Sequence, residues 1–150
     1  MSREAVKTID YKDLLEKHNI YPIDNWEKFD FTHGGSQVEI SLIDKLKDKL
    51  QHNPSKKEPK GLYAYKKGEE WLYIGKGNPI FNRLKSHYHD SIKQQMEPMR
   101  AKRWYRFFSK HADHLTIYWI EVKKESTRKI LETALHEVYK PAFNSFKMKK

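Results

Sequence analysis

Apolar residues alternate with polar ones over some stretches of this chain and recur every three to four residues over others, and these switches divide it into elements. Residues 62–65 and 71–74 are rich in aromatic and branched side chains, and Lys66-Lys67-Gly68-Glu69 between them supplies the glycine of a turn. A β-hairpin is predicted. Side chains alternate faces along a strand, so Tyr63 shares a face with Tyr65, and Trp71 shares one with Tyr73. A loop of odd length, residues 67–69 or 66–70, sets Tyr63 opposite Tyr73 and Tyr65 opposite Trp71; a two-residue loop does not. Asn78 is expected to cap a following helix with Pro79 in its first position and Ile80, Phe81, Leu84 and Tyr88 as its apolar stripe. Arg83 and His87 lie four apart and share a face of that helix.

The rest of the chain reads the same way. Residues 97–110 have a helical pattern with Met99, Trp104, Phe107 and Phe108 as apolar members and Arg100, Lys102, Arg103, Arg106 and Lys110 as cations. Aromatic residues at helical spacing belong in the core, so the cations are the expected phosphate-tracking surface. Residues 115–122 are apolar on both faces and are expected centrally in the sheet. Ser126 is the expected cap of a last helix whose Ile130, Leu131, Ala134, Leu135 and Val138 form the buried stripe until Pro141. Residues 1–58 read as a helical N-terminal extension. It contains a short helix at 11–18, a Gly34-Gly35 turn, a helix capped by Ser36 that carries Val38, Ile40, Leu42, Ile43, Leu46 and Leu50, and a linker at 53–59. Residues 59–150 then run strand, strand, helix, helix, strand, helix. This is an α+β domain with a small three-stranded, mainly antiparallel sheet flanked by helices.

Charge sharpens this division. Residues 1–58 carry 10 Lys and Arg against 11 Asp and Glu, whereas residues 59–150 carry 20 against 9. The whole excess of positive charge lies with the hairpin and the helices after it, which suits a polyanionic partner. With 150 residues the chain suits one domain, and its 0 Cys exclude a disulfide framework and a thiolate zinc site. No stretch approaches the roughly 20 apolar residues of a membrane span, and no apolar signal core opens the chain; a cytoplasmic protein is expected. His87 and His89 are two apart on a helix and face away from each other, which argues against a zinc pair.

Gly61-Leu62-Tyr63, ten residues from Tyr63 to Tyr73, Tyr73-Ile74-Gly75, Arg83 eight residues after Gly75 and His87 four after that resemble the GIY-YIG nuclease superfamily, with Leu62 in place of its usual isoleucine. The resemblance spans residues 61–144. It implies a metal-dependent endonuclease in which a helix glutamate binds one divalent ion, Mg²⁺ or Mn²⁺, and a later asparagine supports the site; Glu132 and Asn144 match in order and separation. Arg83 is suited to gripping a phosphate oxygen and Tyr63 to serving as general base, provided that Arg83, Lys76 and the metal favour its phenolate. His87 then orients Tyr63 or relays its proton, and Tyr73 positions water or phosphate. Lys76, Asn144 and the cations Arg100, Lys102, Arg103 and Arg106 are the expected substrate contacts. Six residues follow Asn144, a plan that looks like the compact restriction enzymes of the superfamily, with DNA as substrate and a homodimer assembled through the extension. A structure-selective or single-strand nuclease, or a non-catalytic nucleic-acid-binding module on the same fold, are the competing readings.

Overall fold

A computed structural model describes residues 11–50, 58–92, 99–111 and 115–143. Nine elements follow in order: helix α1 (residues 11–17), a 3-10 turn (Ile23–Asn25), β1 (Glu27–Phe31), α2 (Ile40–Lys49), β2 (Gly61–Lys67), β3 (Glu70–Gly77), α3 (Ile80–Asp90), α4 (Met99–His111), β4 (Leu115–Glu121) and α5 (Glu125–Tyr139), the turn being counted apart from the nine. The strands form one antiparallel sheet in the order β1-β4-β2-β3. The α+β class is as expected, but the sheet has four strands where three were predicted. The extra one comes from the segment expected to be wholly helical. Phe29 and Phe31 alternate with exposed Glu27, Lys28 and Asp30 along β1, which is the half-buried strand rhythm, and Phe29 pairs with Ile117 and Phe31 with Leu115. Because β1 covers its outer edge, β4 is an internal strand, consistent with its two apolar faces.

Both faces of the sheet are covered. Tyr63, Tyr65, Tyr73, Phe31, Ile117 and Trp119 pack against α2, α3 and α4 through residues such as Leu46, Leu84, Tyr88 and Phe108. On the other face Leu62, Ala64, Ile74 and Tyr118 pack against Leu131, Ala134 and Leu135 of α5 and against Leu15, Ile20, Ile23 and Trp26 of the N-terminal segment. Trp104, Phe107 and Phe108 are buried, as their spacing predicted. Ile40 and Ile130, assigned to buried stripes, are instead 74% and 54% exposed, since each lies at the solvent-side margin of its helix.

The hairpin closes differently from the expected register. Lys67 pairs with Glu70, so the turn is the two-residue Gly68-Glu69, with Gly68 at φ 60°. That turn alone would set the two strands' tyrosines on opposite faces. A bulge after Tyr65 restores the parity, so that Tyr65 pairs with Tyr73 and Tyr63 pairs with Gly75. Tyr63, Tyr65 and Tyr73 therefore do share one face, by a bulge in place of an odd loop.

The predicted caps also give way to tertiary partners. Helix α3 begins at Ile80 after Pro79, without an Asn78 cap; the Ile80 N–H donates to the Pro59 carbonyl at 2.9 Å. Helix α2 begins at Ile40 and not after Ser36, and the Glu39 N–H donates to the Tyr88 hydroxyl at 2.9 Å. Helix α5 begins at Glu125, one residue before Ser126, and buried Arg128 ties its first turn to the carbonyls of Val122 and Lys123 at 2.9 and 2.8 Å. Most of the predicted 53–59 linker lies outside the described residues.

Gly61 starts β2 where it passes closest to β4. A Cβ there would press on the Ile120 carbonyl oxygen and come within 2.8 Å of the Val122 nitrogen, both of them backbone atoms that cannot turn aside. Gly68 has nothing within 4 Å and only its positive φ to defend. Gly61→Ala is expected to cost about 3 kcal/mol, lowering the melting temperature by about 10 °C, against about 1 kcal/mol for Gly68→Ala. Thermal denaturation followed by circular dichroism checks both, and equal losses would contradict the close approach.

Candidate active site

Four of the singled-out residues converge on one point over the sheet. Tyr63 lies in the middle of β2, opposite Gly75, and the missing side chain there leaves the space its ring fills: a Cβ on Gly75 would sit 2.7 Å from the Tyr63 hydroxyl and 2.8 Å from the Tyr73 ring. The two tyrosine rings are 6.0 Å apart, centroid to centroid. Helix α3 crosses above them and projects Arg83 and His87, one turn apart, toward the hydroxyls. The Tyr63 hydroxyl and His87 Nε2 are 2.7 Å apart, and both residues are buried. The Arg83 guanidinium is close enough to the Tyr63 and Tyr73 hydroxyls to feel both electrostatically.

Arg83 carries only donors, so toward the phenolic oxygens it can act only as a donor. The Tyr63 hydroxyl and His87 Nε2 share one hydrogen bond, through which a proton can pass between phenol and imidazole. Its ionisation is nevertheless disfavoured: burial is the main cause that pushes its pKa well above 10, Tyr73 adds to this, and Arg83 only partly opposes it. In the protein alone the neutral phenol is therefore the favoured form of Tyr63. Arg83, with Tyr63 as the largest influence, has its pKa raised and remains charged.

A second pair lies on the other face of β3. Lys76 Nζ and Glu132 Oε1 of α5 are 3.3 Å apart, with the Glu132 side chain 18% exposed. Lys76 directly follows Gly75, so β3 itself joins this pair to the tyrosine cluster. One turn further along α5, His136 donates from Nε2 to the Ile74 carbonyl at 2.9 Å, given that a carbonyl can only accept. His136 thus pins the helix that carries Glu132 to the strand that carries Tyr73. Among the described residues no group of three or more His, Cys, Asp or Glu side chains could hold a metal, so Glu132 is a solitary carboxylate. Such a site suits a hard ion that keeps most of its waters, as Mg²⁺ does, and not a caged zinc.

Helix α4 roofs the cluster. The Trp104 ring lies 4.0 Å from His87 and 5.0 Å from Tyr73, centroid to centroid, and Phe143 packs 4.9 Å from Trp104. Phe143 is itself tied down, its N–H donating to the Leu72 carbonyl at 2.7 Å. Asn144 follows it and lies outside the described residues. On the outer side of α4, Arg106 and Lys110 are exposed and Arg103 is half-buried; Arg100 and Lys102 belong to its first turn, and their side chains lie outside the described residues. Sequence reasoning missed His33, which is 2% exposed and whose Nε2 is 3.0 Å from the Tyr65 hydroxyl. The signal was present in the alternation Phe29, Phe31, His33, which continues the strand rhythm into the Gly34-Gly35 turn.

A buried phenol with a raised pKa binds its proton more tightly in the folded chain, so its stabilisation is complete below pH 10 and is lost as pH climbs past that value. The melting temperature is expected to fall above about pH 10, and Tyr63→Phe or Tyr65→Phe to flatten that fall. Thermal scans between about pH 8 and 11 check this; an unchanged slope in both variants would contradict the buried neutral tyrosines.

No family model matches the chain. UvrABC system protein C of Fervidobacterium nodosum is 33% identical over 85 residues, 57% of this chain, and that of Aliarcobacter butzleri is 34% identical over 100 residues, 66% of this chain. The chain spans only 13% and 15% of those proteins' own lengths. The GIY-YIG N-terminal endonuclease domain of UvrC from Thermotoga maritima, solved bound to magnesium as its catalytic divalent cation, is 28% identical over 67% of this chain and 97% of that one, with a TM-score of 0.44. Beside this sequence likeness to UvrC proteins stand the two glycine-tyrosine motifs, their ten-residue spacing and the convergence of Tyr63, Tyr73, Arg83 and His87, and by these features the chain is similar to the GIY-YIG nuclease superfamily.

Proposed function

We propose that this protein is a metal-dependent DNA endonuclease that hydrolyses phosphodiester bonds, acting in the cytoplasm as a stand-alone, restriction-like enzyme. The observation that carries the reading is the 2.7 Å contact between the Tyr63 hydroxyl and His87 Nε2 beside the Arg83 guanidinium, a proton donor, a proton acceptor and a fixed cation at one point. In this reading residues 59–150 are the nuclease unit and residues 1–58 an addition to it. His87 four residues after Arg83 is the feature that favours the restriction enzymes among the superfamily.

The steps belong to this chain's own side chains. Arg83 has five N–H donors, more than two tyrosine oxygens use, so it grips a phosphate oxygen while still orienting Tyr63. Tyr63 gives its proton to His87 and takes one from water, and Tyr73 helps to align that water with the phosphate. Positive charge from Arg83 counters the charge that develops on phosphorus. Glu132 is the residue that would hold Mg²⁺ or Mn²⁺, with Asn144 supporting the site, and such an ion would supply Lewis acidity at the scissile phosphate. Lys76, beside Glu132, is placed to contact substrate. Tyr63 has no exposed surface, so the duplex must part the cover formed by α4 and Phe143 before water reaches it. The cations Arg100, Lys102, Arg103 and Arg106 run along that same helix and meet the DNA backbone as it arrives. One such site cuts one strand, and a homodimer supplies the second cut.

Plasmid DNA incubated with Mg²⁺ or Mn²⁺ is expected to give discrete, metal-dependent fragments. Glu132→Ala and Arg83→Ala should each slow their appearance by at least about 100-fold. Arg106→Ala should leave the fragments unchanged but weaken DNA binding and lower its salt dependence by about one counterion. Absence of cleavage of plasmid, flap and single strand with every metal, while DNA binding persists, would overturn the nuclease reading in favour of a binding module. Cleavage confined to flaps or single strands would replace the restriction role by a structure-selective one.

A further inference from the structure

His33 lies outside the set just assigned, and the contacts around it converge on the same point. Its ring is stacked on Phe108 with centroids 4.2 Å apart and an interplanar angle of 3°, and it meets Phe31, Tyr65 and Tyr88 edge-on. Its Nε2 is 3.0 Å from the Tyr65 hydroxyl, and its Nδ1 is buried without a hydrogen-bond partner. Burial lowers its pKa to about 3, so the ring is neutral wherever a nuclease works. A neutral imidazole has one donor and one acceptor, so Nε2 either donates to the Tyr65 hydroxyl oxygen or accepts its proton, and in both cases Nδ1 is left unmet. A polar ring is thus buried among aromatics with one of its two polar atoms unmet, a burden that a phenylalanine in its place would not carry.

Two routes lead from His33 to His87. The first passes through Tyr65, whose ring lies 6.1 Å from both Tyr63 and His87 and pairs across the hairpin with Tyr73. The second is a file of rings, stacked from His33 to Phe108 and from Phe108 to Trp104 at 5.6 Å, and tilted by 40° from Trp104 to His87 at 4.0 Å. The loop that carries His33 is also tied to the end of α3: the Gly34 N–H donates to Ser91 Oγ at 2.8 Å, and Ser91 Oγ donates to the Tyr88 carbonyl at 2.6 Å. That helix bears both Arg83 and His87. The N-terminal segment therefore touches the site by its strand, its loop and a buried histidine.

We propose that His33 is a positioning residue for the Tyr63–His87 pair, fixing the Tyr65 ring and the Phe108–Trp104 stack so that His87 Nε2 stays in line with the Tyr63 hydroxyl. The inference rests on the nuclease reading for its effect on rate, but not for its effect on His87. Three variants test it. His33→Phe keeps a ring to stack on Phe108 and removes the nitrogen, Tyr65→Phe removes the hydroxyl at the other end of the bond, and His33→Gln places an amide, able to donate or accept, where Nε2 stood. His33→Phe and Tyr65→Phe are expected to lower kcat about tenfold each with KM within about twofold, and the double variant to be no slower than either single one. His33→Gln is expected to recover most of the rate. In parallel, the side-chain nitrogen spectrum of the histidines reports the bonding of His87, which should move in His33→Phe and in Tyr65→Phe and return toward the wild type in His33→Gln. A fall in melting temperature with kcat and the His87 signal unchanged would overturn the inference and leave His33 with a packing role only. If the wild type cleaves no DNA, the nuclease reading fails by itself, and the His87 signal still decides the positioning: a signal indifferent to His33→Phe and Tyr65→Phe refutes it.

Discussion

Everything in the candidate site depends on the face-to-face pairing of Tyr63 with a residue that has no side chain. Gly75 leaves room for the phenol to lie across β3, and only from that position does its hydroxyl reach His87 Nε2 at 2.7 Å. A methyl group there would collide with the hydroxyl and with Tyr73 together, so one added carbon displaces both tyrosines. The requirement propagates outward. Tyr63 and Gly75 face each other only because the bulge after Tyr65 corrects the parity that the two-residue turn would otherwise impose. Position in a sheet is quantised in units of one residue, and this site uses one such unit.

The proposed site is built across a sheet. In that reading proton handling falls to the tyrosine face beneath α3 and α4, where the dielectric is low and hydrogen bonds are strong. Charge handling falls to the α5 face, where Lys76 and Glu132 retain contact with solvent. An ion-binding carboxylate placed among the buried tyrosines would suffer the full cost of desolvation; on the α5 face it is partly hydrated and already neutralised by a lysine. Edge strand β3 is thin enough to serve both, since adjacent residues Gly75 and Lys76 look in opposite directions.

Local rules served well where the element decided its own fate. The hairpin, the Arg83–His87 spacing, the burial of Trp104, Phe107 and Phe108, and the internal position of β4 all follow from periodicity within a few residues. They failed where a distant partner decided. Ser36, Asn78 and Ser126 are good caps by composition, yet the Glu39 and Ile80 N–H groups are met by Tyr88 and Pro59, and Arg128 secures the start of α5. Strand β1 was missed because its five residues are mostly charged and its partner lies near the other end of the chain. His33 was missed with it, since a single histidine beside Gly34-Gly35 looks like a turn. Glu132 is a case of the opposite kind: nothing local distinguishes it from any polar-face glutamate, and only its distance from the tyrosine motifs singled it out.

The pairing of β1 with β4 also bears on the order in which the molecule is made. Glu27 lies beside Trp119, so β1 cannot complete its hydrogen bonds until β4, much later in the chain, has been made as well. Closing so long a loop is slow, and β2 with β3 can fold as a local hairpin well before it. During synthesis Phe29 and Phe31 wait without a sheet to cover, an exposed pair of aromatics on an unpaired strand. His33 would enter the aromatic cluster with that same last strand. The hairpin can therefore bring its tyrosines together before β1, and His33 with it, docks.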